Sequence, residues 1–548
     1  MGATITIRMY RQLLGDCFLL THRKDDGGVE QVYRALIDCG VLQCIGKEVD
    51  KPQTKAGTRT IHSVVDNLIA DTGGVLDLVI ATHEHYDHLS GFLLGFQTFK
   101  AKPLVIKALW LAWTEKPGDG EAEAIRANGR SSLKALAALA DAFATGDDAA
   151  QTIRERNAPK WLEDYAKQVS SPTGDAERRA QNIDALLQFQ GEIDKWVSEI
   201  TPPSRDPEPV WDVDKPPRSC ADVLRWLRAT AKEPNVRYLE PGEIVSFGVD
   251  KTLRAHVLGP PRRPDRLLKL NPSEGKNVVR EVYLTTPDDA AALDATLRFL
   301  ETLPTDGAIS AEDAGKRAEE RAKQAAEYPF AARFDRTAKS APGCAVVTAY
   351  RNPQEAARGI DDEWMGTAEA LALKVDSDVN NTSLVLAIEV SKGGDVLLLP
   401  ADAQVGNWLS WHDQTYPPKP AKPGDPTVSA TDLLNRTVLY KVGHHGSHNA
   451  TAKALGLELM TSPHLAAMIP VVEAVAREQK SSTNPLGWAM PYGDLNARLK
   501  ERTGGRIVRG DGDVKAEALA FANSRFTYAS PEPLYVELTL EIPPGSPK

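Results

Sequence analysis

The sequence predicts an α/β fold, and three observations carry that prediction. An apolar, β-branched run over 75–81 reads as a buried strand. Strand and helix patterns alternate around it, from apolar runs at 4–8 and 16–22 to a helix pattern at 61–70. Two stretches rich in helix formers, 121–200 and 309–335, then interrupt the strand pattern.

The elements follow in order. The runs 4–8 and 16–22 are joined by Gly15-Asp16, which predicts a first hairpin. A third strand over 33–40 ends at Asp38 and Gly40. Ile61, Val64, Val65, Leu68 and Ile69 recur at spacings of three and four, an amphipathic helix that Gly73-Gly74 stops before the strand 75–81. Pro202, Pro203 and the Pro-rich run to Pro217 break the first helical block, and 220–231 reads as one more helix. Strand character returns over 245–259, which carries His256. A strand pair, 380–389 and 395–402, turns at Gly393-Gly394 and delivers Asp402; 436–442 delivers Gly443-His-His-Gly-Ser-His448; 465–472 and 534–542 are the last strands.

The strand 75–81 runs straight into His83, His85, Asp87 and His88. Alternation along an extended chain sends His83 and His85 to one side, with Asp87 and His88 in the turn that follows. Imidazole and carboxylate suit Zn²⁺ or a similar divalent ion, and groups this close can serve two neighbouring ions. A helix-borne metalloprotease site spaces its histidines four apart, so that pattern does not fit. The other reading is a His-rich surface loop, which the strand before it and the apolar helix after it disfavour.

Thr82-His-Glu-His-Tyr-Asp-His-Leu-Ser-Gly91 resembles the HxHxDH signature of the metallo-β-lactamase superfamily. The resemblance implies an αββα four-layer sandwich, here with helical insertions, whose strand-end loops hold one or two metals and a hydrolytic water. Val442-Gly-His-His-Gly-Ser447 resembles the GHHGS motif of the ComEC/Rec2-like branch. So do Asn381-Thr-Ser-Leu-Val-Leu386 and Ala401-Asp-Ala403, with Ala401 where that branch carries Gly. These resemblances imply His83 and His85 on one metal, Asp87 and His88 on the other, Asp402 bridging and His444 completing the second site. Asp38 is implied as a supporting residue near the metals. Asp87 or Asp402 would orient the hydrolytic water, and His445 would protonate the leaving group or serve structure alone. His448 is read as structural. His256 is the one histidine left for the usual third ligand of the first site; without it, a single ion at Asp87 and His88 follows. The implied cofactor is Zn²⁺, one or two ions, with Mn²⁺ as the other candidate.

The chain has 548 residues, 65 Lys and Arg against 75 Asp and Glu, and a formal net charge of −10. That balance argues against indiscriminate binding to polyanions. The segment 251–280 nevertheless gathers Arg254, Arg262, Arg263, Arg266, Lys269, Lys276 and Arg280, either a solvated loop or a local basic groove. No apolar run approaches the roughly 20 residues that span a bilayer. The opening Met1-Gly-Ala-Thr-Ile-Thr-Ile is strand-like rather than a signal peptide, and the five cysteines lack disulfide-framework spacing. Both set the expectation of a cytoplasmic protein with no membrane partner.

The expected organisation is a first half of the sandwich over 1–114, a helical insertion over 115–240 and a return over 241–300. A charged helical insertion over 301–375 and the second half over 376–548 complete it. The expected function is metal-dependent hydrolysis, first of a phosphodiester in a nucleic acid, nucleotide or phospho-headgroup. The alternatives are a lactone, thioester or lactam, or a regulatory or assembly protein keeping a structural metal, with the helical insertion as an oligomerisation surface.

Overall fold

The first sheet grows outward from the N-terminal hairpin, where Ala3–Tyr10 pairs antiparallel with Cys17–Asp26 and that strand with Val29–Cys39. In the computed structural model, residues 2–42, 60–126, 211–267, 269, 379–417, 427–478, 487–521, 525–530 and 533–542 are described. Beyond Val29–Cys39 the pairing turns parallel, through Leu78–Ile80 and Leu109–Ala112 to Val236–Leu239. On the other side of Ala3–Tyr10 lie Tyr535–Ile542 and Phe526–Tyr528, completing eight strands.

The second sheet repeats this plan with seven strands. Ile244–Phe247, Leu253–Gly259, Val385–Glu389 and Val396–Leu399 pair antiparallel. Thr437–Lys441, Ala466–Ile469 and Ile507–Arg509 then continue in parallel. Side-chain alternation explains why the two sheets stack. Ile5, Ile7, Met9, Leu78 and Ile80 of the first sheet share one core with Leu386, Ile388, Leu397 and Leu399 of the second. The opposite parity, Leu36, Val79, Val385 and Ala387, lies in a second core with helix residues Val64, Leu68, Phe92 and Trp226. Helices thus cover the outer faces, which gives the αββα layering.

The helix Ile61–Thr72 starts on a Thr60 side-chain cap and ends at Gly73 in the left-handed region, as its spacing predicts. The strand expected over 75–81 is split into Val75–Leu76, paired with Val105–Ile106, and Leu78–Ile80 in the main sheet. The span 245–259 is a hairpin rather than one strand, because Gly248 adopts a left-handed turn between its two arms. Residues 211–240, expected as the end of a helical insertion, contribute the helix Cys220–Ala231 and the edge strand Val236–Leu239. Trp226 of that helix packs on Phe92, Phe96 and Phe99, so this part is built into the sandwich. Residues 127–210 of that insertion and the whole of 301–375 lie outside the described residues.

His256 sits mid-strand, fully buried, with Nε2 3.1 Å from Glu389 Oε2. Arg254 and Arg436 reach the same carboxylate at 2.9 and 2.8 Å. Burial alone would raise the pKa of Glu389; the neighbouring His256 and Arg436 outweigh it and hold the group at about 2. This depressed carboxylate therefore stabilises the fold above its ordinary value of 4.5, and the contribution is lost as pH falls from there towards about 2. We expect His256→Ala to cost about 2 kcal/mol of stability in urea denaturation, from the lost packing and pairing, and to leave metal content unchanged. Loss of metal on that substitution would instead make His256 a ligand.

Candidate metal centre

Four parallel or antiparallel strands end at one place, and each delivers a polar side chain there. Leu78–Ile80 leads into Thr82 and His83, after which the helix Tyr86–Leu94 begins with His85 at its N-cap and Asp87 in its first turn. A helix start favours that carboxylate through the backbone dipole. Val29–Cys39 carries Asp38 near its end, Val396–Leu399 leads to Asp402, and Thr437–Lys441 leads to His444 and His445. The helix after Asp402, Val405–Ser410, is preceded by Gln404 at its cap position, so Asp402 is not a helix cap.

The backbone is forced to aim these side chains. Asp38, Ala401, His444 and His445 have φ of 53°, 50°, 43° and 53°, four of the seven non-glycine residues in the left-handed region among those described. Each such residue costs on the order of 1–3 kcal/mol, which the surrounding contacts offset. Gly40 is required by proximity: a Cβ there would lie 2.1 Å from the Asp87 carbonyl carbon. Asp16 N–H donates to Asp87 O at 2.9 Å and Gly40 N–H to Asp16 O at 2.9 Å, tying the loops together. Leu384 N–H donates to Thr82 O at 2.9 Å, a backbone bond between the two halves of the sandwich at the site itself.

Hydrogen bonds fix which ring nitrogens offer lone pairs. His88 Nδ1 lies 2.8 Å from Asp38 Oδ2, so it donates and Nε2 is turned inward. Thr82 Oγ1 donates to the same Asp38 oxygen at 2.7 Å and so accepts from His83 Nδ1 at 3.1 Å, turning His83 Nε2 towards His85 Nδ1, also 3.1 Å away. One carboxylate, Asp38, therefore orients two histidines. His445 Nδ1 can only donate to Pro470 O, 2.8 Å away, which leaves Nε2 facing Asp87 Oδ2 at 2.8 Å. Ser447 Oγ donates to Asn449 Oδ1 at 3.0 Å and accepts from His444 Nδ1 at 3.2 Å; His444 Nε2 then points inward, 4.0 Å from Asp402 Oδ2.

Asp87, His88, Asp402 and His445 each place one ligand atom within 4.8 Å of the others, and all four are buried. His88 Nε2, Asp87 Oδ1 and Asp402 Oδ2 have no hydrogen-bond partner, although His88 Nε2 is only 3.2 Å from Asp402 Oδ2. Orphaned buried acceptors aimed at a common point are what a divalent cation satisfies, and nitrogen with carboxylate oxygen suits Zn²⁺ or Mn²⁺. Of the residues singled out from the sequence, the structure brings Asp87, His88, Asp402 and His445 into this group. His83 and His85 face each other beside it, with the His83 ring 4.1 Å from that of His88. His444 stands at its edge, its side chain 14% exposed. His448 packs against Tyr492, and His256 pairs with Glu389.

Two participants were not singled out. The sequence marks Asp16 only as part of a turn and Lys441 only as part of a strand. Both are buried in the centre, and Lys441 Nζ pairs with Asp16 Oδ2 and with Asp402 Oδ1. A lysine at the polar end of an apolar strand was the available signal, and it lay beside the Gly-His-His-Gly motif. Within the basic segment the described arginines are matched with acids: Arg262 pairs with Asp119, Glu121 and Glu240, and Arg263 and Arg266 with Asp413, while Lys276 and Arg280 lie outside the described residues.

The electrostatics divide the histidines. Burial and neighbouring imidazoles push His83 well below its ordinary value, and burial brings His85 and His444 to about 4, so all three are neutral at pH 7. His88 and His445 go the other way: burial opposes their charge, but Asp402 and Asp87 outweigh it and raise both. Burial would raise Asp87 and Asp402 too, yet His88 above all holds both below the usual carboxylate range.

Residues 35–235 match the sequence model of the metallo-beta-lactamase superfamily, so the chain carries a domain of that superfamily. No curated protein and no solved structure matches the chain. The superfamily consists mostly of hydrolases that use divalent metals, and the His and Asp group described here is a candidate site for such an ion.

Ligation requires His88 and His445 to give up the protons that their carboxylates favour. Zinc binding at pH 7 should therefore release about one to two protons, and affinity should rise with pH through the neutral range. Calorimetry in two buffers of different ionisation heat checks this: the observed binding heat should differ between them. Equal heats would show that no proton leaves and would contradict the assignment of these two rings.

Proposed function

We propose that this protein is a metal-dependent hydrolase that cleaves a phosphodiester bond in a small nucleotide, a phospho-headgroup or a nucleic acid. The observation that carries the hydrolase reading is the convergence of Asp87, His88, Asp402 and His445 with unpartnered buried acceptors. In this reading His445 takes the ligand place expected of His444, and His83 and His85 form the start of a second site. A divalent ion held there supplies a Lewis acid and lowers the pKa of a bound water from 15.7 towards 7.

The chain's own residues then do the rest. Asp38 holds the His83 and His88 rings in their ligating tautomers through Thr82 Oγ1 and its own Oδ2. Asp87 and Asp402 would orient the attacking water beside the ion they hold. His444, more exposed than its neighbour and anchored through Nδ1 to Ser447, stands at the edge of the group, where it would contact the leaving group.

The phosphodiester preference rests on the resemblance of Val442-Gly-His-His-Gly-Ser447 to the ComEC/Rec2-like branch and on the suitability of paired metals for in-line displacement. The paired state of Arg254, Arg262, Arg263 and Arg266 favours recognition at the metal site over a basic groove. Three buried free thiols, Cys17, Cys39 and Cys220, support placing the protein in a reducing cytoplasm. Among the described residues no helix is long and apolar enough to cross a membrane.

The test is hydrolysis of a bis-aryl phosphodiester by the full chain. We expect chelator-sensitive turnover that returns on adding Zn²⁺ or Mn²⁺ and falls at least about 10³-fold, roughly 4 kcal/mol, in Asp402→Ala. Turnover of a lactone or thioester in place of the phosphodiester would move the function to carboxyl-type hydrolysis. No turnover of any of them by metal-loaded protein would favour a structural metal site in an assembly protein.

A further inference from the structure

Lys441 is buried, and its ammonium meets three acceptors, which matches its three protons. It donates to Ala401 O at 3.0 Å, to Asp402 Oδ1 at 3.2 Å and to Asp16 Oδ2. Asp402 Oδ1 receives a second donor, the His444 N–H, at 3.1 Å. The Asp402 N–H is held in turn by Ser383 Oγ at 3.2 Å. One carboxylate oxygen is thus doubly engaged, and the other, Oδ2, is buried with no hydrogen-bond partner and lies 3.2 Å from His88 Nε2.

We propose that Lys441, braced by Asp16, is a positioning residue that pins Asp402 through Oδ1 and so presents Oδ2 as the single oxygen offered to the metal. This rests on the metal-hydrolase reading above. The physical reason for a brace is that Ala401, the residue before Asp402, has φ of 50°. A non-glycine residue in that region relaxes unless its surroundings over-determine it. Lys441 bonds the carbonyl of this strained residue and the carboxylate of the next one at once. It also ties two buried carboxylates, Asp16 and Asp402, to one ammonium. A carboxylate held this way does not clamp two ions with its two oxygens.

The experiment is zinc affinity of the metal-stripped full chain, read by competition with a chromophoric chelator, in a double-mutant cycle of Lys441→Met and Asp402→Asn. Losing the residue that orients a ligand weakens binding by about 10–100-fold. We expect that loss in Lys441→Met, and we expect the double variant to bind no more weakly than Asp402→Asn alone, since Lys441 acts through Asp402. Asp16→Asn, which leaves Asp402 and Lys441 in place, should give a smaller loss in the same direction. It carries the test by itself if Lys441→Met does not fold. Affinity equal to or tighter than the wild type in Lys441→Met, or additive losses in the cycle, would overturn the inference while leaving the hydrolase reading intact. Equal affinity in Asp16→Asn would overturn the brace. A wild-type chain that binds no zinc would overturn both the inference and the reading beneath it.

Discussion

Four carboxylates, Asp16, Asp38, Asp87 and Asp402, are buried together where the two sheets meet, each at most 2% exposed. Burying one unpaired carboxylate already costs several kcal/mol. The rest of the centre answers that constraint. Lys441 serves Asp16 and Asp402, His88 serves Asp38 and Asp402, and His445 serves Asp87. Even so, Asp16 Oδ1, Asp87 Oδ1 and Asp402 Oδ2 remain without a hydrogen-bond partner. The protein supplies enough positive charge to fold but leaves a directed deficit of the kind a divalent ion could fill.

The fold places this deficit economically. Both sheets are antiparallel at one side and parallel at the other. The carboxyl ends of parallel strands are where loops are free to carry polar groups, because the strands themselves are covered on both faces. Asp402 and the His444–His445 pair follow two parallel neighbours in one sheet; Asp38 and the His83–His88 run follow two in the other. The Leu384–Thr82 backbone bond stitches the two groups together, so neither half forms the centre alone.

Much of this was legible in the sequence for a simple reason: the signals are local. A strand that stops at His83, a Gly73-Gly74 helix stop and a Gly393-Gly394 turn are each read from a few neighbouring residues. The Asp402 carboxylate and the twin histidines were found the same way. What was not legible depends on contacts distant in the chain. That His445 joins the group while His444 stands at its edge depends on the left-handed backbone at both and on Pro470 O and Ser447 Oγ, none of which a motif records. Lys441 looks like the end of a strand until Asp16, more than four hundred residues earlier, is placed against it. The short strands Ile507–Arg509 and Phe526–Tyr528 have too few residues to show a period. Val236–Leu239 is hidden by the helix-rich composition that precedes it, and only its pairing with Leu109–Ala112 reveals that it belongs to the sheet.

The central claim is that an ion sits between Asp87, His88, Asp402 and His445. Its most direct test is an anomalous difference map from crystals of the full chain soaked in zinc. The account predicts a peak about 2.0–2.2 Å from His88 Nε2 and from Asp402 Oδ2, with Lys441 still on Asp402 Oδ1. A zinc peak bonded to neither atom, or no peak at this place in zinc-saturated crystals, would contradict it.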